Sequence, residues 1–96
     1  MGGDNVKEID EKEIYRQALE KWGDRAQITM LFEEMAELQN AVCKQMRGRV
    51  TNIDIAEEVA DVEIMLEQMK LIFSIENDVE EWKCCKIRRL AKRLEE

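Results

Sequence analysis

The chain has no histidine and no proline, only four glycines among its 96 residues, and 5% aromatic residues. Without histidine, and without a Cys-x-x-Cys pair, it lacks the ligand set of a zinc site. Its three cysteines are Cys43, Cys84 and Cys85. The adjacent pair diverges by about 100° on a helix and cannot readily bridge, so the cysteines read as reduced thiols of a cytoplasmic protein. No apolar run approaches the roughly 20 residues of a membrane span, and no signal-peptide pattern opens the chain. An excess of basic charge is also missing. Lys and Arg total 15 against 22 Asp and Glu, a net charge of -7, which argues against a nucleic-acid polymer as partner.

What remains is 45% hydrophobic and 39% charged residues with few β-branched runs, a mixture that suits an all-α protein. The length gives one domain. A core this small buries a modest share of the surface, so self-association is expected. After a flexible N-terminus over 1–10, which includes "MGGDN", capping signals divide residues 11–96 into a four-helix bundle. The first helix runs from Glu11 to Trp22, capped by Asp10 with Glu13 in the capping-box position and stopped by Gly23. The second starts after Asp24, with Gln27 in box position, and ends near Arg47 before Gly48. The turn "GRVTN" leads to a third helix capped by Thr51 or Asn52 and ending near Ile75. Asn77 or Asp78 caps the fourth, whose acidic start and basic end complement the helix dipole.

Periodicity gives the second helix a core stripe of Ile28, Leu31, Met35, Leu38, Val42 and Met46. The third has one of Ile55, Val59, Val62, Leu66, Met69 and Phe73. Beside each lies a second stripe, Met30-Glu34-Glu37-Ala41 and Asp54-Glu58-Asp61-Met65-Gln68-Ile72. The third helix is apolar on a further side through Ile53, Ile64, Leu71 and Ile75, which places it centrally with part of its surface in a homodimer or homotetramer interface.

A short turn makes the two long central helices antiparallel. Glu37 and Asp61 then fall at nearly one height, with Glu34 and Glu58 displaced by about one turn, roughly 5 Å. Four carboxylates converging beside apolar seams repel one another, and a divalent cation relieves the conflict. All-oxygen ligation selects Mg²⁺, with Mn²⁺ as the other choice, and magnesium commonly bridges carboxylates to substrate phosphates.

The spacing Glu34-x-x-Glu37, twenty residues, Glu58-x-x-Asp61 resembles the signature of the MazG-like all-α nucleoside triphosphate pyrophosphohydrolases. The segments "KWGDRAQITMLFEEMAEL", "AEEVADVEIMLEQM" and "KIRRLAKRL" are similar to the short single-domain members, and the likeness covers nearly the whole chain after residue 10. It implies hydrolysis of a nucleoside triphosphate between the α and β phosphates, giving a monophosphate and pyrophosphate. Carried over, Glu34, Glu37, Glu58 and Asp61 are the metal ligands. Glu37 is the catalytic base with Glu33 in reserve, and Lys86, Arg89 and Arg93 form a triphosphate clamp that can serve a neighbouring subunit's site. The simpler account of that stripe is helix-end charge. Trp22 and Trp82 are either base contacts or core and interface residues. "DVEIML" lacks the tyrosine-histidine continuation of phosphoribosyl-ATP pyrophosphatase, and the chain is short for a dimeric dUTPase. The alternative of another class is a non-catalytic helical oligomerisation module using the spare apolar face of the third helix, which would need no convergence of acids.

Overall fold

The computed structural model describes residues 8–49 and 51–96, so the expected flexible start over 1–10 falls largely outside the described residues. Those residues form four helices: α1 (Glu11–Trp22), α2 (Asp24–Met46), α3 (Asn52–Phe73) and α4 (Glu76–Leu94). The protein is all-α, as its composition implies.

Local chemistry explains most boundaries. Asp10 accepts the Glu13 backbone N–H at 3.3 Å and opens α1. Gly23, at φ 90°, closes it by donating its own N–H to the Leu19 carbonyl. Thr51 and Asp54 form a reciprocal capping box at the start of α3, which resolves the choice between Thr51 and Asn52. Two expected caps differ. Asp24 is the first residue of α2, behind Gly23 as cap, and Gln27 is not a box residue but part of the core. Asn77 and Asp78 lie inside the first turn of α4, because α3 stops at Phe73. Ser74 then takes a left-handed conformation (φ 54°) that turns the chain early enough for Ile75 to precede α4.

The antiparallel α2–α3 hairpin is the main packing unit. α1 packs on both of its helices, whereas α4 packs on α3 and does not reach α2. α3 is therefore central, packing on the other three, while α1 meets α4 through the Lys12–Glu76 ion pair at 2.9 Å. Leu31, Met65 and Met69 form the buried cluster, with Ile28 and Ile72 against it. Beside it the buried amides of Gln27 and Gln68 bond across the hairpin at 2.7 Å.

The buried seam takes half of each expected stripe together with part of its neighbour. Ile28, Leu31 and Leu38 on α2 and Ile55, Val62 and Met69 on α3 are buried or half-buried, as are Glu34, Ala41, Glu58, Asp61, Met65, Gln68 and Ile72 of the acid-bearing stripes. Met35, Val42 and Met46, with Val59, Leu66 and Phe73, stand exposed. Ala41 provides the close approach, while Ala60 points outward. The reason is that α3 is apolar around much of its circumference, so its periodicity does not choose a contact face. The Gln27–Gln68 bond and the small Ala41 favour the stripe that carries the acids.

Candidate metal centre

Because the contact takes in part of the acidic stripes, Glu34, Glu58 and Asp61 are half-buried between the helices while Glu37 stays at the rim. Single carboxylate oxygens of Glu34, Glu37 and Glu58 lie within 4.8 Å of one another, as do those of Glu57, Glu58 and Asp61. Glu58 belongs to both groups. Glu34, Glu58 and Asp61 are half-buried and Glu37 is exposed at the rim. A cavity of about 230 Å³ opens there, lined by Glu37, Asn40, Ala41, Lys44, Asp54 and Glu58.

The electrostatics follow from this crowding. Burial pushes the Glu34 carboxyl above its ordinary range, and the charges of Glu37, Asp61 and Glu58 push further. Glu58 is raised likewise, by burial first and then by Glu37, Asp61 and Glu57. One oxygen of each, Glu34 Oε2 and Glu58 Oε2, is shut away from solvent with no hydrogen-bond partner. A buried acceptor without a donor costs about 1–3 kcal/mol. An all-oxygen donor set with two such atoms fits a hard divalent cation. Asp54 differs from its neighbours. The backbone and hydroxyl of Thr51 donate to it, at 2.9 and 3.0 Å, and hold its carboxyl below the usual range, so it serves the helix start.

Of the four expected ligands, Glu34, Glu37 and Glu58 come together in one group, and Asp61 joins Glu58 in the other. Glu57 was missed, although its position next to Glu58 offers a third α3 carboxylate from the exposed side. Lys44 was missed too, and the spacing of two turns from Glu37 was the available signal. The reserve base Glu33 is exposed and outside both acidic groups.

The basic stripe is not brought to the acids within one chain. Lys86, Arg89 and Arg93 are exposed on α4. Arg89 and Arg93 line a separate surface cavity with Lys92, Glu95 and Glu96, and Lys86 lies 5.8 Å from the Trp82 ring centre. Trp22 and Trp82 are each 59% exposed, so neither is in the core of the single chain. Cys43, Cys84 and Cys85 are free and exposed, and no helix described is long and apolar enough to cross a membrane.

No family model matches the chain, and no curated protein or solved structure matches it either.

Proposed function

We propose that the protein is a MazG-like, Mg²⁺-dependent nucleoside triphosphate pyrophosphohydrolase that converts a (d)NTP to the monophosphate and pyrophosphate, with Mn²⁺ an acceptable substitute. The domain over 11–96 works in the cytoplasm as a homodimer or homotetramer. The observation that supports this reading above others is the meeting of two acid pairs in a helix interface, with Glu34 Oε2 and Glu58 Oε2 buried and unpartnered. A helical interaction module has no use for so unfavourable a cluster.

Glu34, Glu37, Glu58 and Asp61 would hold the cation. When bound, it supplies charge neutralisation at the phosphates and an acidified water for attack. Glu37, exposed at the rim, would take that water's proton. Lys44 lines the same cavity and presents a cation toward an incoming phosphate. Lys86, Arg89 and Arg93 lie on a helix that does not approach α2, so their service as a clamp is to the site of a neighbouring subunit.

The test is pyrophosphate release from a panel of canonical and modified NTPs and dNTPs with millimolar Mg²⁺. Release is expected to vanish in EDTA and in Asp61→Asn. Arg89→Ala should impair turnover while leaving the stabilisation by magnesium intact. Absence of release from every nucleotide would leave the interaction module as the better account.

A further inference from the structure

The stretch from Leu38 to Ile53 contains no acid and three cations, Lys44, Arg47 and Arg49, in a chain with 22 acids and a net charge of -7. Glu37 and Asp54 bound it, so the turn end of the hairpin is positive directly beside the acidic cluster. Cations at the end of α2 also complement its dipole, which is the simplest account of them. Two features of the structure go beyond that account.

The turn is fixed rather than loose. The chain leaves α2 in a Schellman motif: Gly48, at φ 71°, donates its N–H to the Gln45 carbonyl at 2.8 Å, and Arg49 donates its own to the Lys44 carbonyl at 2.9 Å. Arg47 lies between them as the cap residue. The Gln45 side chain donates to Asn52 across the turn at 3.5 Å, and the Thr51–Asp54 capping box sets the start of α3. Both arginines are thereby anchored by their backbone to the last turn of α2, with exposed side chains.

Lys44, in contrast, stands among the acids without pairing with them. It is half-buried and lines the cavity of about 230 Å³ with Glu37, Asp54 and Glu58, yet it forms no ion pair among the described residues. The Asp54 carboxylate is already engaged by Thr51. Asn40, three residues after Glu37 and four before Lys44, lines the same wall of α2. Along that wall the lining changes from carboxylate to amide to ammonium over two turns, about 10 Å. A cation that closes on none of the surrounding acids is available to an anion those acids alone would repel. The cations of α4 are placed differently. Beyond Lys83 the surface hollows along α4 are lined by α4 alone, so Lys86, Arg89 and Arg93 do not adjoin the acids of their own chain.

We propose that the α2–α3 turn holds the terminal phosphates of the nucleotide. Lys44 within the cavity, with Arg47 and Arg49 beyond it on the turn, takes the β and γ phosphates, and the nucleoside is directed along the hairpin away from the turn. This rests on the hydrolase reading for the identity of the substrate and adds its orientation. Charge sets the direction, because the β and γ groups carry most of the charge of a triphosphate and the turn is the positive segment adjoining the acids. Guanidinium forks match phosphate oxygens bidentately. When the α–β bond is hydrolysed, the departing pyrophosphate already sits among cations that stabilise the charge gathering on it. The cavity is lined by no aromatic side chain, so this end of the site reads phosphate and not base.

Isothermal titration calorimetry of pyrophosphate in millimolar Mg²⁺, and of Mg²⁺ alone, tests the turn without needing turnover. The parent should bind pyrophosphate. Lys44→Gln and Arg49→Gln should each weaken that binding about tenfold or more, the fold-change of one lost charge-assisted hydrogen bond. Mg²⁺ alone should bind Lys44→Gln at least as tightly as the parent, because a cation beside the acids has gone. A dipole or packing role does not produce that split, since loss of structure weakens both ligands. Arg16→Gln, which removes the same charge from α1, should leave pyrophosphate binding at the parental value. The inference is overturned by a parent that does not bind pyrophosphate with Mg²⁺, or by a turn variant that binds it as the parent does. It is equally overturned if Arg16→Gln weakens binding as much, or if Lys44→Gln loses metal and pyrophosphate together. Failure of the hydrolase reading looks different: a parent that binds pyrophosphate through the turn but releases none from any nucleotide keeps the phosphate site and loses the reaction.

Discussion

Replacing Glu34 by Gln keeps the side chain's size and turns an orphaned acceptor into a donor. Glu34 Oε2 is buried with no partner, and Glu37 and Glu58 present carboxylate oxygens within 4.8 Å. The new amide N–H₂ can donate to either, while one of four clustered charges disappears. Relief of one unsatisfied buried acceptor is worth about 1–2 kcal/mol, the lower part of the usual penalty because the site is half open to water. For a domain of this size each kcal/mol moves Tm by roughly 4–8 °C. In EDTA the variant should therefore melt about 5–15 °C above the parent, at matched protein concentration because association also moves Tm. With Mg²⁺ at a hundredfold its dissociation constant the parent should gain about 2.7 kcal/mol, and the variant much less. The order of the two melting curves should thus converge or reverse when EDTA is replaced by magnesium. Differential scanning calorimetry in the two buffers reads both effects. A variant that melts below the parent in EDTA and shows the full magnesium shift would refute the reasoning, since the acids would then be neither frustrated nor involved in binding.

Other expectations follow from the same interface. Glu34 and Glu58 have folded-state pKa values raised above their unfolded ones, so the native state binds more protons than the unfolded state just above the ordinary carboxylate range. Metal-free stability should accordingly fall as pH rises from about 5 toward neutrality, and urea titrations in EDTA that show it rising instead would contradict the crowding. Asp54, whose pKa is lowered, acts oppositely, contributing stability that is lost only as pH drops through its folded value. Gln27→Ala should cost about 1–3 kcal/mol by leaving the buried Gln68 amide without its partner, whereas the double change Gln27→Leu with Gln68→Leu should be much closer to neutral. Chemical denaturation of the three proteins gives the comparison.

Much of the helical framework was legible because it rests on local chemistry. Asp10, Gly23 and Thr51 each act within four residues of chain, and the same range covers the acid pairs. That the pairs would meet followed from one short turn and the rise of a helix. The stripes were legible in part: Leu31, Val62 and Met69 are buried as their spacing implies, whereas Met35, Val42 and Leu66 are exposed because the seam takes in the neighbouring stripe through Met65 and Gln68. The choice depends on a long-range bond, Gln27 to Gln68, between residues 41 positions apart. The cap of α4 was misplaced because Ser74 adopts a left-handed conformation that non-glycine residues seldom take. The departure of α4 from α3 has no signature in its own periodicity, which is that of an ordinary packed helix.

The Gln27–Gln68 bond has a consequence for alignment. Glu34 lies seven residues after Gln27, and Asp61 seven before Gln68, so the amides and the acids are two rungs of one ladder, about 10 Å apart along it. Mutual repulsion at the acidic rung would be relieved by sliding one helix a turn past the other, and the apolar contacts between Met, Leu and Ile side chains would resist such a slip only weakly. A single pair of amides, each needing the other at 2.7 Å, does not tolerate a displacement of 5.4 Å. The neutral rung therefore holds the charged rung in step, and the hairpin keeps its carboxylates opposed even when nothing positive lies between them.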